Sequence, residues 1–312
     1  MDIFLKSISG ILVILGMILV GFVIGEKGRF DDKSRGLIAK LVTQIALPCY
    51  MLYTITQRFT AADLLKMLPA LRFPALSMVV LLGIATAVAK IFAVRQDRRG
   101  LFISMFFNSN TIFVGLPINQ ALFGDDSIPY VLIYYMCNTT FFWTLGTYLI
   151  QRDGEGEARF DLKTSVKKVF SPPLMGFILG LVMVMLQIKL PAFLASDLQY
   201  LGNLTTPLSM IFIGLSVSHV GVKQLVLGKD QLLILIGRFV VAPLLMATIV
   251  YWAPLPSLMK QVFIIQSAMP VMTNAPVVAR LYGADSDYAA VMVTETTLAT
   301  MVVIPILMVL MA

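Results

Sequence analysis

Ten long stretches without a charged side chain dominate this sequence of 312 residues. Each contains 17 to 25 residues, and only the last is interrupted, by Glu295. The stretches are Ser7–Gly25, Leu41–Gln57, Phe73–Ala89, Leu101–Gly124, Ser127–Gln151, Val169–Ile188, Leu198–Val222, Phe239–Met259, Gln261–Ala279 and Tyr288–Ala312. A helix needs about 20 mostly apolar residues to cross the hydrocarbon core of a bilayer. The sequence therefore predicts an all-α polytopic membrane protein with ten transmembrane helices, spans 1 to 10 in chain order.

The composition excludes a soluble domain and several kinds of site. Hydrophobic residues make up 58% of the chain and charged residues 13%, against about 45–50% and 25% in soluble domains. The net charge of +7 does not indicate a nucleic-acid partner, because no basic stretch is interleaved with aromatic residues. The two cysteines lie in apolar stretches and there is one histidine, so we expect neither a metal site nor a cofactor.

The positive charges predict how the chain is oriented in the membrane. If the N-terminus lies outside, eighteen of the 24 Lys and Arg residues lie on the cytoplasmic side and six lie outside. Cytoplasmic loops carry an excess of Lys and Arg. We therefore expect both termini outside and the central loop in the cytoplasm, in a plasma membrane (the inner membrane of a bacterium).

The two halves of the chain share a weak internal similarity at an offset of 159 residues. This offset aligns Pro48 with Pro207, Pro117 with Pro276, and the segment 122–127 with 281–286. Five spans per half is an odd number, so the second half would enter the membrane inverted, as in many secondary transporters. The prediction is a first five-helix repeat in 1–150, a cytoplasmic linker in 151–168 and an inverted repeat in 169–312. Chance alignment of prolines in apolar sequence is the alternative.

Polar side chains precede a mid-span proline in span 4 and again in span 9. The residues concerned are Asn110, Thr111, Gly115 and Pro117 in span 4, and Thr273, Asn274 and Pro276 in span 9. Proline removes a helix hydrogen bond, and a broken helix exposes N–H groups whose dipole end attracts a carboxylate. The pattern predicts that these seven residues form a substrate-binding site for an anion. A simple kink, with its polar groups bonded to neighbouring helices, is the alternative.

The motif in span 4 resembles that of a known family. Asn110-Thr111 followed by Gly115, Pro117 and Leu122-Phe123-Gly124 resembles span 4 of the auxin efflux carrier family. That family includes the plant PIN carriers and bacterial carriers of malonate, malate and related acids. Segments 266–270 and 279–282 are similar to its span 9, and segment 45–48 to its span 2. The resemblance covers essentially the whole chain.

Several expectations follow from this resemblance alone. It implies that spans 4 and 9 are broken and cross at the site, and that Asn110 meets the substrate carboxylate. It implies a scaffold of spans 1, 2, 6 and 7, a transport bundle of spans 3–5 and 8–10, elevator-like movement and a homodimer. This chain departs from the family in two ways. Ser171-Pro172-Pro173 stands where span 6 usually begins with Asn-Pro, and the central loop is short, which favours a bacterial-type carrier.

One charged residue lies inside a predicted span and another at the very start of one, and ionisable groups in spans are functional candidates. Glu295, in span 10, has three roles open to it: carrying a proton, pairing with a cation such as sodium, or facing Arg238. Arg238, early in span 8, either extends to the cytoplasmic interface or neutralises the substrate. We therefore assign Glu295 and Arg238 to ion coupling or charge pairing.

The leading hypothesis is a secondary active transporter (permease) for small organic anions such as mono- or dicarboxylates. Its partners would be the anion, the lipid bilayer and a coupling proton or sodium ion. An intramembrane enzyme is disfavoured because the chain has neither paired mid-span aspartates nor a zinc-binding histidine motif. A channel or a transporter-like receptor for a small organic acid is the alternative.

Overall fold

The computed structural model of the protein describes residues 2–28, 30–154, 166, 170–220 and 228–311. Every regular element among these residues is a helix, in agreement with the all-α prediction. Five helical segments are long and apolar enough to cross a membrane: Lys33–Arg58, Ala61–Ile91, Ala192–His219, Lys229–Tyr251 and Ser286–Met311. Shorter apolar helices cover Leu12–Glu26 and Pro172–Met185. The chain is thus a multi-pass membrane protein, and its arrangement as ten spans in two inverted repeats stays a prediction.

The described residues form two compact units, and each unit draws on both halves of the sequence. Unit A comprises the described residues of 1–12, 70–165 and 220–312, and unit B comprises those of 13–69 and 166–219. The predicted repeats in 1–150 and 169–312 remain untested. Most of the predicted linker, residues 155–165 and 167–168, lies outside the described residues.

The described residues of unit B form seven α-helices, two of which approach each other closely. The seven are α1 (Asp2–Glu26, in unit B from Val13 onward), α2 (Asp32–Leu41), α3 (Leu47–Arg58), α4 (Ala61–Met67), α10 (Pro172–Met185), α11 (Ala192–Asn203) and α12 (Thr205–Val220). A Cβ atom on Gly176 would lie 2.8 Å from the Cα of Pro48. A glycine is therefore required where α10 meets α3, as is common between membrane helices.

Unit A contains the helices that carry the predicted site. They are α5 (Arg72–Ile91), α6 (Arg99–Phe107), α7 (Gly115–Phe123), α8 (Ile128–Phe141), α9 (Thr147–Gln151), α13 (Lys229–Ile236), α14 (Ala242–Tyr251), α15 (Ser257–Ser267), α16 (Ala275–Tyr282) and α17 (Ser286–Met311). One apolar cluster joins most of these helices, but not α7 or α15, and includes Phe102, Phe107, Phe142, Val271 and Met292. The short helices α6 and α16 are thus anchored in the core of unit A.

The first turn of α6 is capped by a residue far away in the sequence. Asp153, in the loop after α9, accepts hydrogen bonds from the backbone N–H groups of Gly100 (2.9 Å) and Leu101 (2.6 Å). A carboxylate satisfies N–H groups that have no partner inside the helix. Burial raises the pKa of Asp153, although these two hydrogen bonds oppose the rise. The cap ties the start of α6 to the end of α9.

Candidate functional site

The chain is interrupted between α6 and α7. Helix α6 ends at Phe107 and α7 begins at Gly115, with Asn108–Val114 between them. The polar side chains of this break are buried; Asn110 is 4% exposed and Thr111 is 3% exposed. Pro117 is the third residue of α7, a position in the first turn where a helix does not need its N–H. The sequence therefore stops one helix and starts another just before the proline.

A second interruption of the same length separates α15 from α16. Helix α15 ends at Ser267 and α16 begins at Ala275, with Ala268–Asn274 between them. Pro276 is the second residue of α16, where proline is favoured. Both predicted breaks are therefore present, and each predicted proline lies just after a break, in the first turn of the second half-helix.

The two breaks contact each other through Asn110. Its backbone N–H donates to the carbonyl of Pro270 at 2.8 Å, and its Nδ2 donates to the Thr273 hydroxyl at 2.5 Å. Nearby, Gln266 Nε2 donates to the carbonyl of Thr111 at 3.3 Å. The structure thus brings Asn110, Thr111 and Thr273 together, although Asn110 and Thr273 are 163 residues apart in sequence.

Several backbone N–H groups at this contact lack an acceptor, and one buried acceptor of the described residues, Gln266 Oε1, lacks a donor. The backbone N–H groups of Ile112, Val114, Met272 and Thr273 have no acceptor among the hydrogen bonds of the described residues. An amide side chain has two N–H donors and a hydroxyl has one. Asn110 gives one of its two to Thr273, whose hydroxyl acts there as the acceptor. The Thr273 O–H and a second Asn110 N–H therefore stay available beside the backbone donors.

The remaining predicted site residues shape the breaks. Gly115 lies against Gln266: a Cβ on Gly115 would be 2.9 Å from Gln266 Nε2 and 3.0 Å from its Cδ. Asn274 precedes α16, and its carbonyl accepts the N–H of Val278 at 3.0 Å. Its side chain makes no hydrogen bond within the described part of the chain, so the structure pairs Asn110 with Thr273 and leaves Asn274 apart.

Neighbouring helices hold both breaks in place. Asn138 of α8 accepts the backbone N–H of Ser109 at 2.9 Å and donates to the Ser109 carbonyl at 2.7 Å. On α17, the hydroxyl of Thr296 accepts the N–H of Val271 at 3.1 Å. The predicted site residues did not include Asn138, Thr296 or Gln266. For Asn138 and Thr296 the only signal was a polar side chain in an apolar stretch, and spans 5 and 10 contain several such residues. Gln266 lies in the segment 266–270 that resembles span 9 of the family.

Arg238 lies in a π-helical turn, Gly237–Val241, between α13 and α14, and its side chain is completely buried. Its guanidinium donates to the backbone carbonyls of Phe106 (3.1 Å), Ser267 (2.5 Å) and Met269 (3.0 and 2.8 Å). It therefore binds at the carboxyl ends of α6 and α15 and does not extend to a membrane surface. No ion pair with Glu295 is present among the described residues.

Glu295 is a buried acid that makes no polar contact. The residue is 7% exposed, and neither carboxylate oxygen has a hydrogen-bond partner among the described residues. It lies on α17 next to Thr296, whose hydroxyl binds the second break. About two turns closer to the start of α17, the hydroxyl of the buried Tyr288 also has no hydrogen-bond partner among the described residues. Glu295 is therefore the sequence neighbour of Thr296, which binds the second break, and it forms no ion pair among the described residues.

Comparison with known proteins matches this chain from end to end. The model of the family described as membrane transport protein matches residues 7–308. An uncharacterized transporter of Methanocaldococcus jannaschii is 28% identical over 299 residues, covering 94% of this chain and 95% of the relative. An uncharacterized transporter of Methanothermobacter thermautotrophicus is 26% identical over 312 residues, covering 97% and 98%. The similarity therefore extends well beyond the residues at the two breaks.

Proposed function

The chain belongs to the membrane transport protein family, which is that of the auxin efflux carriers, and is therefore a membrane transporter. We propose that it carries small organic anions such as mono- or dicarboxylates. The substrate binds where the two helix breaks meet, held by Asn110, Thr273 and the backbone of both breaks. The other predicted residues, Thr111, Gly115, Pro117, Asn274 and Pro276, form the walls and turns of this site. Transport is secondary and active, driven by an ion gradient or by the membrane potential.

The observation that carries this proposal is the set of unpaired backbone N–H groups at the contact of the breaks. Four backbone N–H groups, those of Ile112, Val114, Met272 and Thr273, have no acceptor in the described part of the chain. Unsatisfied N–H groups at the start of a helix attract negative charge, and buried donors are costly unless a partner binds them. A carboxylate supplies two acceptor oxygens, which are the partners that such N–H groups lack.

The division of the chain into units supports alternating access. All residues assigned to the substrate belong to unit A. Unit A draws on spans 3–5 and 8–10, the set expected to form the transport bundle, and unit B on spans 1, 2, 6 and 7. We therefore propose an elevator-like mechanism in an inverted-repeat protein, acting as a homodimer in the plasma membrane with both termini outside.

Substrate counterflow in proteoliposomes tests the proposed activity. Vesicles loaded with unlabelled malonate or malate should accumulate the labelled acid faster than empty vesicles, and the rate should saturate with substrate concentration. Counterflow requires a site that faces each side in turn, which a channel does not have. Flux without saturation or counterflow would favour a channel, and binding without flux would favour a receptor; either result would contradict the proposal.

We further propose that Glu295 carries a proton during transport. An ionised carboxylate that is buried without a partner is unstable, so it takes up a proton. Nearer the start of α17, Arg98 lies 4.6 Å from the ring of Tyr288 and forms an ion pair with Asp230 (2.7 Å). Neither Arg98 nor Asp230 binds Glu295. Its carboxyl group is therefore able to exchange a proton when unit A exposes it to one side of the membrane or the other.

Replacing Glu295 by glutamine should uncouple transport from the proton gradient. Glutamine resembles the protonated acid, so Glu295→Gln should keep counterflow close to the wild-type rate. It should lose the acceleration of net uptake that an imposed pH difference produces in the wild type. Glu26→Gln, at an exposed glutamate of unit B, is the matched control and should behave as wild type. A pH-driven uptake that is equal in Glu295→Gln and wild type would contradict this role.

A further inference from the structure

Arg238 places a permanent positive charge beside the contact of the two helix breaks. Its side chain is 0% exposed, and no carboxylate of the described residues forms an ion pair with it. Asp230, one helix earlier, is bound to Arg98 at 2.7 Å. A buried charge without a counter-charge is rare in a membrane protein and marks a functional position.

The partners of Arg238 are all backbone carbonyls at the ends of half-helices. Nη1 donates to Phe106 of α6 at 3.1 Å, and Nη2 donates to Ser267 of α15 at 2.5 Å. Nε and Nη2 both donate to Met269 in the second break, at 3.0 and 2.8 Å. The carboxyl end of a helix carries partial negative charge, so the guanidinium is stabilised by two helix ends and by unwound backbone.

These are the groups that bind a coupling cation in other transporters with broken helices. In such proteins, unwound carbonyls and the carboxyl ends of half-helices coordinate a sodium ion near the substrate. Here the same kind of carbonyl cluster is occupied by a side chain of the protein itself. A guanidinium cannot lose its proton at physiological pH, so this charge is present whether or not substrate is bound.

We infer that Arg238 takes the place of a coupling sodium ion and that this carrier works without sodium. The inference rests on the proposed function, because it assigns to Arg238 the positive charge that balances the substrate anion. Met269, which binds Arg238, is followed directly by Pro270, whose carbonyl accepts the N–H of Asn110 at 2.8 Å. The guanidinium and Asn110 therefore bind the carbonyls of two consecutive residues of the second break, and the fixed charge contributes the attraction that a bound cation would otherwise supply.

Replacing sodium tests the inference on the wild-type protein. Uptake of labelled malonate or malate should be the same when choline replaces sodium on both sides of the vesicle membrane. The Tm of the purified protein should also be unchanged by sodium, because the carbonyls are already occupied. Sodium-dependent uptake, or a Tm raised by sodium but not by choline, would overturn the inference while leaving the proposed carrier function intact.

Two substitutions separate the charge from the packing of the side chain. Arg238→Lys keeps the charge and should retain uptake with a raised KM, whereas Arg238→Gln should lose about tenfold or more of the uptake rate. Arg280→Gln, at an exposed arginine of α16, is the control and should transport normally. Wild-type uptake by a folded Arg238→Gln protein would overturn the inference.

The effect of sodium on the wild-type Tm shows whether sodium binds, even if a variant does not fold or no uptake is measured. If Arg238→Gln does not fold, the wild-type measurements still support or exclude a bound sodium ion. If the wild type transports no organic anion under any condition, the proposed function fails, and the Tm comparison still shows whether the carbonyl cluster accepts sodium.

Discussion

Asn110→Ala is expected to reduce the affinity for the transported anion by about 10–100-fold. A hydrogen bond to a charged group contributes about 1.5–3 kcal/mol, and each 1.4 kcal/mol corresponds to about tenfold in Kd. The alanine variant loses the free amide N–H and also the hydrogen bond to Thr273 that holds the two breaks together. The measurement is the concentration dependence of malonate or malate counterflow in proteoliposomes.

A matched substitution shows whether the effect is specific to the site. Asn203, at the end of α11 in unit B, is exposed, so Asn203→Ala should leave counterflow unchanged. Asn110→Ser, which keeps a short hydrogen-bonding side chain, should lie between alanine and wild type. If Asn110→Ala transports with wild-type affinity, the substrate does not bind at the contact of the breaks, although the fold would be unaffected.

Gly115→Ala is expected to reduce uptake about tenfold or more and to lower the Tm. The added Cβ would lie 2.9 Å from Nε2 of Gln266, closer than two such atoms approach. The Gln266 side chain is fully buried and donates to Thr111, so it cannot move away without losing that bond and displacing the first break. Overpacking of this kind costs about 1–3 kcal/mol.

A second glycine of unit A provides the control for this prediction. Gly83 lies within α5, and a Cβ there would meet no atom within 4 Å. Gly83→Ala should therefore be neutral or slightly stabilising, because alanine is favoured over glycine inside helices by about 0.8–1.0 kcal/mol. Shortening the neighbour, as Gln266→Asn in the Gly115→Ala background, should restore part of the uptake. If Gly115→Ala and Gly83→Ala had the same uptake and the same Tm, the contact between Gly115 and Gln266 would not constrain the site.

Much of the local structure was predictable from the pattern of residues. The uncharged stretches predicted helices, and the prolines at 117 and 276 predicted where two of these helices stop and restart. Both predictions depend on interactions within a few residues: a proline has no N–H to donate, and helical backbone satisfies its own hydrogen bonds inside a bilayer.

The partners of the polar side chains were decided only by the tertiary structure. Sequence alone left Arg238 either at the interface or beside the substrate, and the structure shows it bound to Phe106, Ser267 and Met269. For Glu295, one of the roles left open by the sequence was pairing with Arg238, and the described residues form no ion pair between the two. It paired Asn110 with the segment around Thr273 and Asn274 without choosing between the two, and the hydrogen bond goes to Thr273.

The physical reason is the distance along the chain over which each interaction acts. The length of an apolar stretch and the missing N–H of a proline act on neighbouring residues, so the sequence by itself determined that this is an all-helical membrane chain with two polar breaks. A hydrogen bond between Asn110 and Thr273 depends on how α6, α7, α15 and α16 pack, and apolar helices of this kind have many alternative packings. Only the folded unit A decided which backbone N–H groups of the breaks lack an acceptor and which carbonyls receive the buried charge of Arg238.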